Sequence, residues 1–365
     1  MKKKQEKKAL VVITGIGYGH SIREAAILDK LKDHKYDIVV AGFSNSYDYF
    51  EFKYDTLELY GPKFPERRFK FSVLQAILSN LLLPFKYILN SYRLRRVCKI
   101  FDPDIIIGDF EPSSLSVAEK KPHFLIFNFD PETYEEYCKE NKNKFRLQHF
   151  YIDHYYKKAF KKNIPIIVPS ISGKKSKYKI YYVNPIIREL PEKNNLLKDF
   201  KDPIIISLGG SYFGSEILER LLKILPEFEN DFIIFSYKTL GKSEKNIHFF
   251  PFKENFLDYI NSSKAIITFG GHNTISEAVV LKKPCLVFPV PNYIEQILNA
   301  YEIEKTKLGM SKVLRYPIDE NEIKSTLNYF IKKIPEIQDN LDKSDVKGNG
   351  AEQVYEIIKE KSKLE

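Results

Sequence analysis

Twice along this chain a short β-rich apolar run ends in glycines and passes at once into helical spacing. The first instance is ALVVITGIGYGHSIREAAILDKLKDH, followed by the apolar run YDIVVAG, and the second opens with DPIIISLGGSYFG. Such runs are strand material, and Ile22, Ala25, Ala26 and Leu28 recur at helical intervals. Strand, glycine turn, helix and strand in succession set two strands parallel, with the helix covering one face. Further strand runs at residues 104–109, 123–129 and 164–170 extend the first half, and DFIIFSY, NIHFFPF, KAIITFGG and KKPCLVFPVP extend the second. The expected fold class is α/β, with a parallel sheet in each half.

A chain of 365 residues is longer than one hydrophobic core usually serves, which predicts two domains. The polar, proline-bearing stretch 184–202 separates the strand-rich halves. The expected division is a first domain at 1–185, a linker at 186–201, a second domain at 202–345, and a last helix within 346–365 that packs back on the first domain. Cys98, Cys138 and Cys285 are odd in number and scattered, so they read as reduced thiols of a cytoplasmic protein rather than a disulfide framework or zinc clip. The lysine-rich start precedes an apolar run shorter than the ~7–15 residues of a signal peptide, and reads as a solvated tail.

The net charge of +10 is concentrated in one window. Residues 61–100 carry Lys63, Arg67, Arg68, Lys70, Lys86, Arg93, Arg95, Arg96 and Lys99 against the single acid Glu66. The leucine-rich run inside that window is broken by Gln75, Asn80, Pro84 and Lys86, whereas a spanning helix needs ~20 mainly apolar residues. Two readings stay open: an amphipathic segment lying on an anionic membrane surface, or an ordinary helical hairpin with a solvated basic face. A nucleic-acid partner is disfavoured, because leucines rather than stacking aromatics interleave the cations.

Glycine loops at the carboxyl ends of parallel strands are where backbone N–H groups and helix N-termini receive phosphate. Three loops fit, at residues 15–20, 209–214 and 270–271. GIGYGH is not the G-x-G-x-x-G fingerprint, and the following strand ends without a ribose-binding acid, which counts against a nicotinamide dehydrogenase. His20 falls at the start of the first helix with Arg23 one turn on, either as a neutral base or as a capping, packed histidine. The segment Thr274-Ile275-Ser276-Glu277 has the form of a capping box, which would account for its threonine and glutamate without a ligand. It does not account for the paired glycines or for the sequence that follows.

That sequence, TFGGHNTISEAVVLKKPCLVFPVPNYIEQILNA at residues 268–300, resembles the nucleotide-sugar signature of GT-B glycosyltransferases with a family-28-like C-terminal domain. The peptidoglycan N-acetylglucosaminyltransferase, galactolipid synthases and glucuronosyltransferase-like enzymes share it, and the chain is most similar to an archaeal-type branch of that group. GIGYGHSIRE matches as well, so the resemblance covers both halves. It implies a GT-B fold, two Rossmann-like domains with parallel sheets facing across an interdomain cleft.

The resemblance also implies roles. Gly271, Asn273 and Thr274 would hold the donor diphosphate, and Glu277 the ribose diol. Glu295 and Gln296 would reach the donor sugar, Phe252 the base, and Gly209 and Gly210 the phosphates. Gly17, Gly19 and Arg23 belong to the acceptor or phosphate loop, with His20 as first base and Asp109 as second. Retaining members carry a second glutamate eight positions beyond the first, where this chain has Cys285, so inversion is implied. Tryptophan, on which plant members stack the base, is absent.

The expected activity is transfer of a sugar from a nucleoside diphosphate sugar, in the first instance a UDP-sugar, to the hydroxyl of a glycan or lipid-linked acceptor. No cofactor or metal is expected, because backbone donors and a helix dipole would meet the phosphate charge. A nucleotide-sugar epimerase of the same fold and a non-catalytic sugar-nucleotide-binding protein are the alternatives. The expected location is the cytoplasm, with peripheral contact at the inner face of the membrane.

Overall fold

The computed structural model describes residues 7–63, 73–117, 121–142, 145–191, 195–208, 212–236, 241, 243–251 and 253–363. The first half contains β1 (Lys7–Ile13), α1 (Tyr18–Asp33), β2 (Tyr36–Gly42), α2 (Asn45–Phe50), β3 (Asp55–Glu58), α3 (Val73–Ser79) and α4 (Leu83–Phe101). It continues with β4 (Ile105–Asp109), β5 (His123–Ile126), α5 (Pro131–Glu140), α6 (Arg146–Lys161), β6 (Ile166–Pro169) and β7 (Ile180–Val183). These strands form one parallel sheet in the order β3-β2-β1-β4-β5-β6-β7.

The second half contains β8 (Ile204–Ser207), α7 (Tyr212–Ile224), β9 (Phe232–Ser236), β10 (Ile247–Pro251), α8 (Phe256–Ser262), β11 (Ala265–Thr268) and α9 (His272–Val280). It ends with β12 (Cys285–Val287), α10 (Ile294–Lys305), β13 (Met310–Ser311), α11 (Glu320–Lys343) and α12 (Gly350–Ser362). Its parallel sheet runs β10-β9-β8-β11-β12-β13. Residues such as Leu10, Val11, Val12 and Ile13 are buried on both faces of the strand, which is why these segments read as unbroken apolar runs. The short, partly exposed edge strands β3, β7 and β13 lack such a run.

In each sheet the strand order reverses beside the first strand of the half, at β1/β4 and at β8/β11. Ligand crevices of open α/β sheets lie at such points, outside the carboxyl ends of the strands. Ile13 pairs in register with Asp109 there, so the glycine loop after β1 opens directly beside the last residue of β4. Ser207 and Thr268 stand in the same relation in the second sheet.

The halves are packed together by α10. Its Ile294, Ile297 and Leu298 enter an apolar cluster with Phe129, Tyr134 and Ile152 of the first half. Gln148 on α6 holds the entrance of α10 from both sides, donating to Asn292 O at 2.8 Å and accepting from Ile294 N at 3.1 Å. The last helix, α12, returns to the first half, where Val354, Tyr355 and Ile358 join its core and the Tyr355 ring stacks on His34 at 3.8 Å.

On α4, Leu94 is buried and Val97 packs against the core of the first half, but many other apolar residues along α3, α4 and the turn between them face outward. Leu81, Phe85, Ile88 and Tyr92 are each about two-thirds exposed, with Arg95, Arg96 and Lys99 exposed along the same helix. Leu147, Phe150 and Tyr151 on α6 are exposed as well. Among the described residues no helix is long and apolar enough to cross a membrane.

Candidate active site

His20 is the third residue of α1, whose start is set by Gly17 at φ 71°, a left-handed conformation that glycine adopts without a Cβ clash. The turn aims His20 at the end of β4, where its Nδ1 meets Asp109 Oδ1 at 2.9 Å. Arg23, one turn on, donates from Nε to Asp109 Oδ2 at 3.2 Å and from Nη2 to Asp109 Oδ1. Its Nη2 also lies 3.1 Å from His20 Nδ1. A carboxylate only accepts and a guanidinium only donates, so the shorter contact assigns the ring proton to Nδ1 and leaves the lone pair on Nε2.

Arg23 and Asp109 are almost wholly buried. Burial alone would raise the Asp109 acid, but the charges and hydrogen bonds of Arg23 and His20 outweigh it and hold the carboxyl below its ordinary range. With no accessible surface, Asp109 does not face the cleft as a second base would; it stands behind His20. Phe110 stacks on the histidine at 5.8 Å from a left-handed backbone, φ 49°, which costs about 1–3 kcal/mol for a non-glycine residue.

Glu24 is buried beside Asp109, the carboxylate that its acid faces. Burial, followed by the Asp109 charge, pushes its acid well above the usual range, against the opposing charge of Arg23. Glu111, next along from Phe110, is pushed by burial to about 7 against hydrogen bonds from Ser113.

The opposite wall is the start of α9. The anticipated capping box is not formed: the helix begins at His272 with Gly271 at its N-cap, and no side chain caps it. Thr274 is therefore already inside the first turn. The helix thus begins three residues earlier than a Thr274 cap would set it, and the glycine pair lets the chain pass close to α10, where a Cβ at Gly270 would sit 2.6 Å from Gln296 Cβ. At Gly271 a Cβ would meet nothing within 4 Å, so the helix N-terminus opens onto free space. Glu277 turns away from the cap to Arg188 Nη2 at 3.3 Å; burial raises its acid, and Arg188 opposes that. His272 is buried beside Arg23 and His20, and burial first, then the Arg23 charge, push it down to about 3, which keeps it neutral.

The two walls touch. Asn273 donates from Nδ2 to Gly19 O at 2.6 Å. Glu295 accepts from Tyr293 OH at 2.9 Å and from Asn128 Nδ2 at 3.3 Å, and Asn128 Oδ1 in turn accepts from Arg23 Nη1. Gln296 Oε1 accepts from Val290 N at 2.9 Å, so that oxygen fixes the proline-rich loop. These contacts bring His20, Asp109, Arg23 and Gly19 together with Asn273 and Glu295, with Gln296 against Gly270, with Gly17 and Thr274 in the adjoining helix starts, and with Glu277 held by Arg188. Gly209, Gly210 and Phe252 lie outside the described residues.

Asn128, Arg188 and Glu24 do not stand out in the sequence. A polar residue closing the apolar run HFLIFN is the one sign of Asn128. The Asp102-Pro103-Asp104 pair, a spacing that binds metal in other glycosyltransferase folds, sits at the opposite end of β4. There Asp102 pairs with Lys121 at 2.8 Å, and Asp104 accepts from Lys8 N at 2.8 Å.

Comparison with known proteins agrees with this architecture. The family described as Glycosyl transferase family 1 matches residues 7–335. An uncharacterized glycosyltransferase of Methanosarcina mazei is 25% identical over 342 residues, 85% of this chain and 86% of that one. Its counterpart in Methanosarcina acetivorans is 27% identical over 249 residues, 63% of this chain and 65% of the relative, just under two-thirds of its length. A UDP-N-acetylglucosamine--N-acetylmuramyl-(pentapeptide) pyrophosphoryl-undecaprenol N-acetylglucosamine transferase of Clostridium botulinum is 26% identical over 375 residues, 97% of this chain and 99% of the relative.

Among solved structures, a UDP-glucosyltransferase of Polygonum tinctorium superposes with a TM-score of 0.72 at 16% identity, covering 97% of this chain and 99% of that one. MurG of Acinetobacter baumannii gives 0.65 at 13% identity over 97% and 99% of the two chains. These likenesses bear on the fold alone. With a family match across nearly its whole length, the chain belongs to glycosyl transferase family 1 and is a glycosyltransferase of the GT-B fold.

Proposed function

We propose that the protein transfers a sugar from a UDP-sugar to an acceptor hydroxyl with inversion at the anomeric carbon. The observation that carries this reading is the Asn273–Gly19 contact, which sets the His20 loop against the open N-terminus of α9. In the reaction His20 Nε2 takes the acceptor proton as the hydroxyl oxygen bonds to the anomeric carbon and the bond to the diphosphate breaks. Asp109 holds the imidazole in the required tautomer and stabilises the imidazolium that forms. Gly271, Asn273 and Thr274 receive the leaving diphosphate at the helix start, so this reading requires no metal. Arg188 pairs with Glu277 and opposes the rise that burial gives its acid, Glu277 accepts from the ribose diol, and Glu295 and Gln296 address the sugar hydroxyls. Residues 1–185 supply the acceptor side and 202–345 the donor side, joined by 186–201.

We take the acceptor to be lipid-linked and the apolar, basic face of α3, α4 and α6 to rest on an anionic membrane. The polyprenyl acceptor in the name of the clostridial relatives supports the same assignment. The test is a thermal-shift screen across UDP-, GDP- and dTDP-sugars, followed by NMR of the product anomer with the donor that binds. Stabilisation by UDP-sugars and an inverted product are expected. Stabilisation only by another nucleotide, or a retained anomer, would overturn the donor or the stereochemical assignment respectively.

A further inference from the structure

Asn128 is the link at which a hydrogen-bond chain crosses between the halves. From the first half it runs His20, Asp109, Arg23 and Asn128, and it ends on Glu295 at the start of α10 in the second. The orientation of the Asn128 amide is forced: its oxygen faces a guanidinium that can only donate, and its NH₂ faces a carboxylate that accepts. Arg23 is equally committed, with Nε and Nη2 on Asp109 and Nη1 on Asn128. Among the described residues Asn128 is therefore a joint through which a movement of Glu295 reaches the guanidinium that aligns Asp109 and, through it, His20.

We propose that Asn128 is a positioning residue that couples closure of the two halves over the donor to alignment of the His20–Asp109 pair. This rests on the reading of His20 as base and of Glu295 as a donor-sugar contact. When the halves part, Glu295 leaves Asn128, the amide is free to rotate, and Arg23 Nη1 loses its fixed acceptor. The base is then aligned only while Glu295 is seated. The consequence is chemical selectivity. Water can replace the acceptor, giving up its proton to His20 and releasing free sugar and nucleoside diphosphate, and a base slack in the open state suppresses that loss.

The test compares full-length wild type with Asn128→Ala, Asn128→Asp and the double variant Asn128→Asp with Glu295→Gln. Asn128→Asp keeps an acceptor for Arg23 but sets two carboxylates face to face, whereas the double variant restores a donor–acceptor pair of reversed polarity. Backbone hydrogen exchange without ligand is read at residues 17–24 and 290–300. Asn128→Asp is expected to speed exchange about tenfold in both segments together, and the double variant to reverse it. With donor and acceptor, Asn128→Ala is expected to lower kcat about tenfold or more with donor KM within about threefold, and to lower free-sugar release along with it, since both steps give their proton to the same base.

Exchange that changes in one segment and not the other, or that the double variant fails to rescue, overturns the coupling whether or not the protein transfers sugar. Rescue of exchange with kcat unchanged in Asn128→Ala overturns its link to the base. If coupled exchange is seen while wild type transfers no sugar from any nucleoside diphosphate sugar, the failure belongs to the functional reading and the structural coupling stands.

Discussion

Asn273 on α9 donates from its side chain to the backbone carbonyl of Gly19 on α1 at 2.6 Å, so one hydrogen bond joins the first turns of two helices from opposite halves. A Cβ at Gly19 would stand 3.8 Å from the Asn273 nitrogen, in ordinary van der Waals contact, so the fit leaves little spare room.

Asn273→Ala removes this link together with the proposed diphosphate contact. Donor affinity is expected to weaken by roughly 3–10-fold, the range for one hydrogen bond between uncharged partners, and more if the phosphate contact is charge-assisted. Calorimetric titration with UDP measures it directly. An unchanged dissociation constant would remove Asn273 from the donor site and leave it the bridging role alone.

His20→Ala is expected to lower kcat by about 10²–10⁴ while donor binding changes little, the signature of a lost general base. Asp109→Asn should lower kcat as well, but it carries a second cost. It leaves the buried Arg23 guanidinium without its countercharge, a loss of about 3–5 kcal/mol that thermal or urea unfolding would report. Paired kcat and unfolding measurements separate the two: His20→Ala shows mainly the first effect, Asp109→Asn both.

Much of this frame is legible in the sequence because glycine and burial write themselves locally. The runs ending at Ile13, Asp109, Ser207 and Thr268 are buried almost throughout, and the glycines that follow Ile13, Ser207 and Thr268 announce where those strands deliver the chain. The pairing of His20 with Asp109 is not legible, since it depends on β1 and β4 being neighbours although α1, β2, β3, α3 and α4 lie between them in the chain. The capping box misled for a related reason. Its spacing is a local rule, whereas the helix start is fixed by the close approach of Gly270 to α10, a tertiary fact. Asn128 and Arg188 act through partners 167 and 89 residues away, and no window of sequence contains both ends of either contact.

Glu24 offers a test of the buried cluster by pH. Its acid is raised by burial and by Asp109, so the native state holds a proton that the unfolded chain releases above the ordinary glutamate value of 4.5. The stability contributed by the neutral carboxyl is therefore fully present below that pH and is lost as pH rises. Glu24→Gln cannot ionise and should escape the loss. The variant is expected to gain on wild type with rising pH, at up to about 1.4 kcal/mol per unit, in unfolding experiments at pH 5, 7 and 9. A stability difference that stays the same at all three would mean that Glu24 is ionised in the native protein.

The exposed face of α3 and α4 decides between membrane and solvent. An amphipathic surface binds lipid through buried apolar area and through attraction of its cations to anionic head groups, and the two contributions respond to different changes. Leu81→Ser with Phe85→Ser removes apolar area, while Arg95→Gln with Arg96→Gln removes charge; all four side chains are exposed, so the fold should tolerate either pair. In co-sedimentation with vesicles containing anionic lipid, both double variants are expected to pellet several-fold less than wild type. Only the wild type and the serine pair should respond strongly to salt, since each cation near the surface is worth about 1 kcal/mol that ionic strength screens. Equal pelleting of wild type on neutral and anionic vesicles would leave the basic residues without a role in membrane contact. No pelleting on either would sink the docking surface altogether.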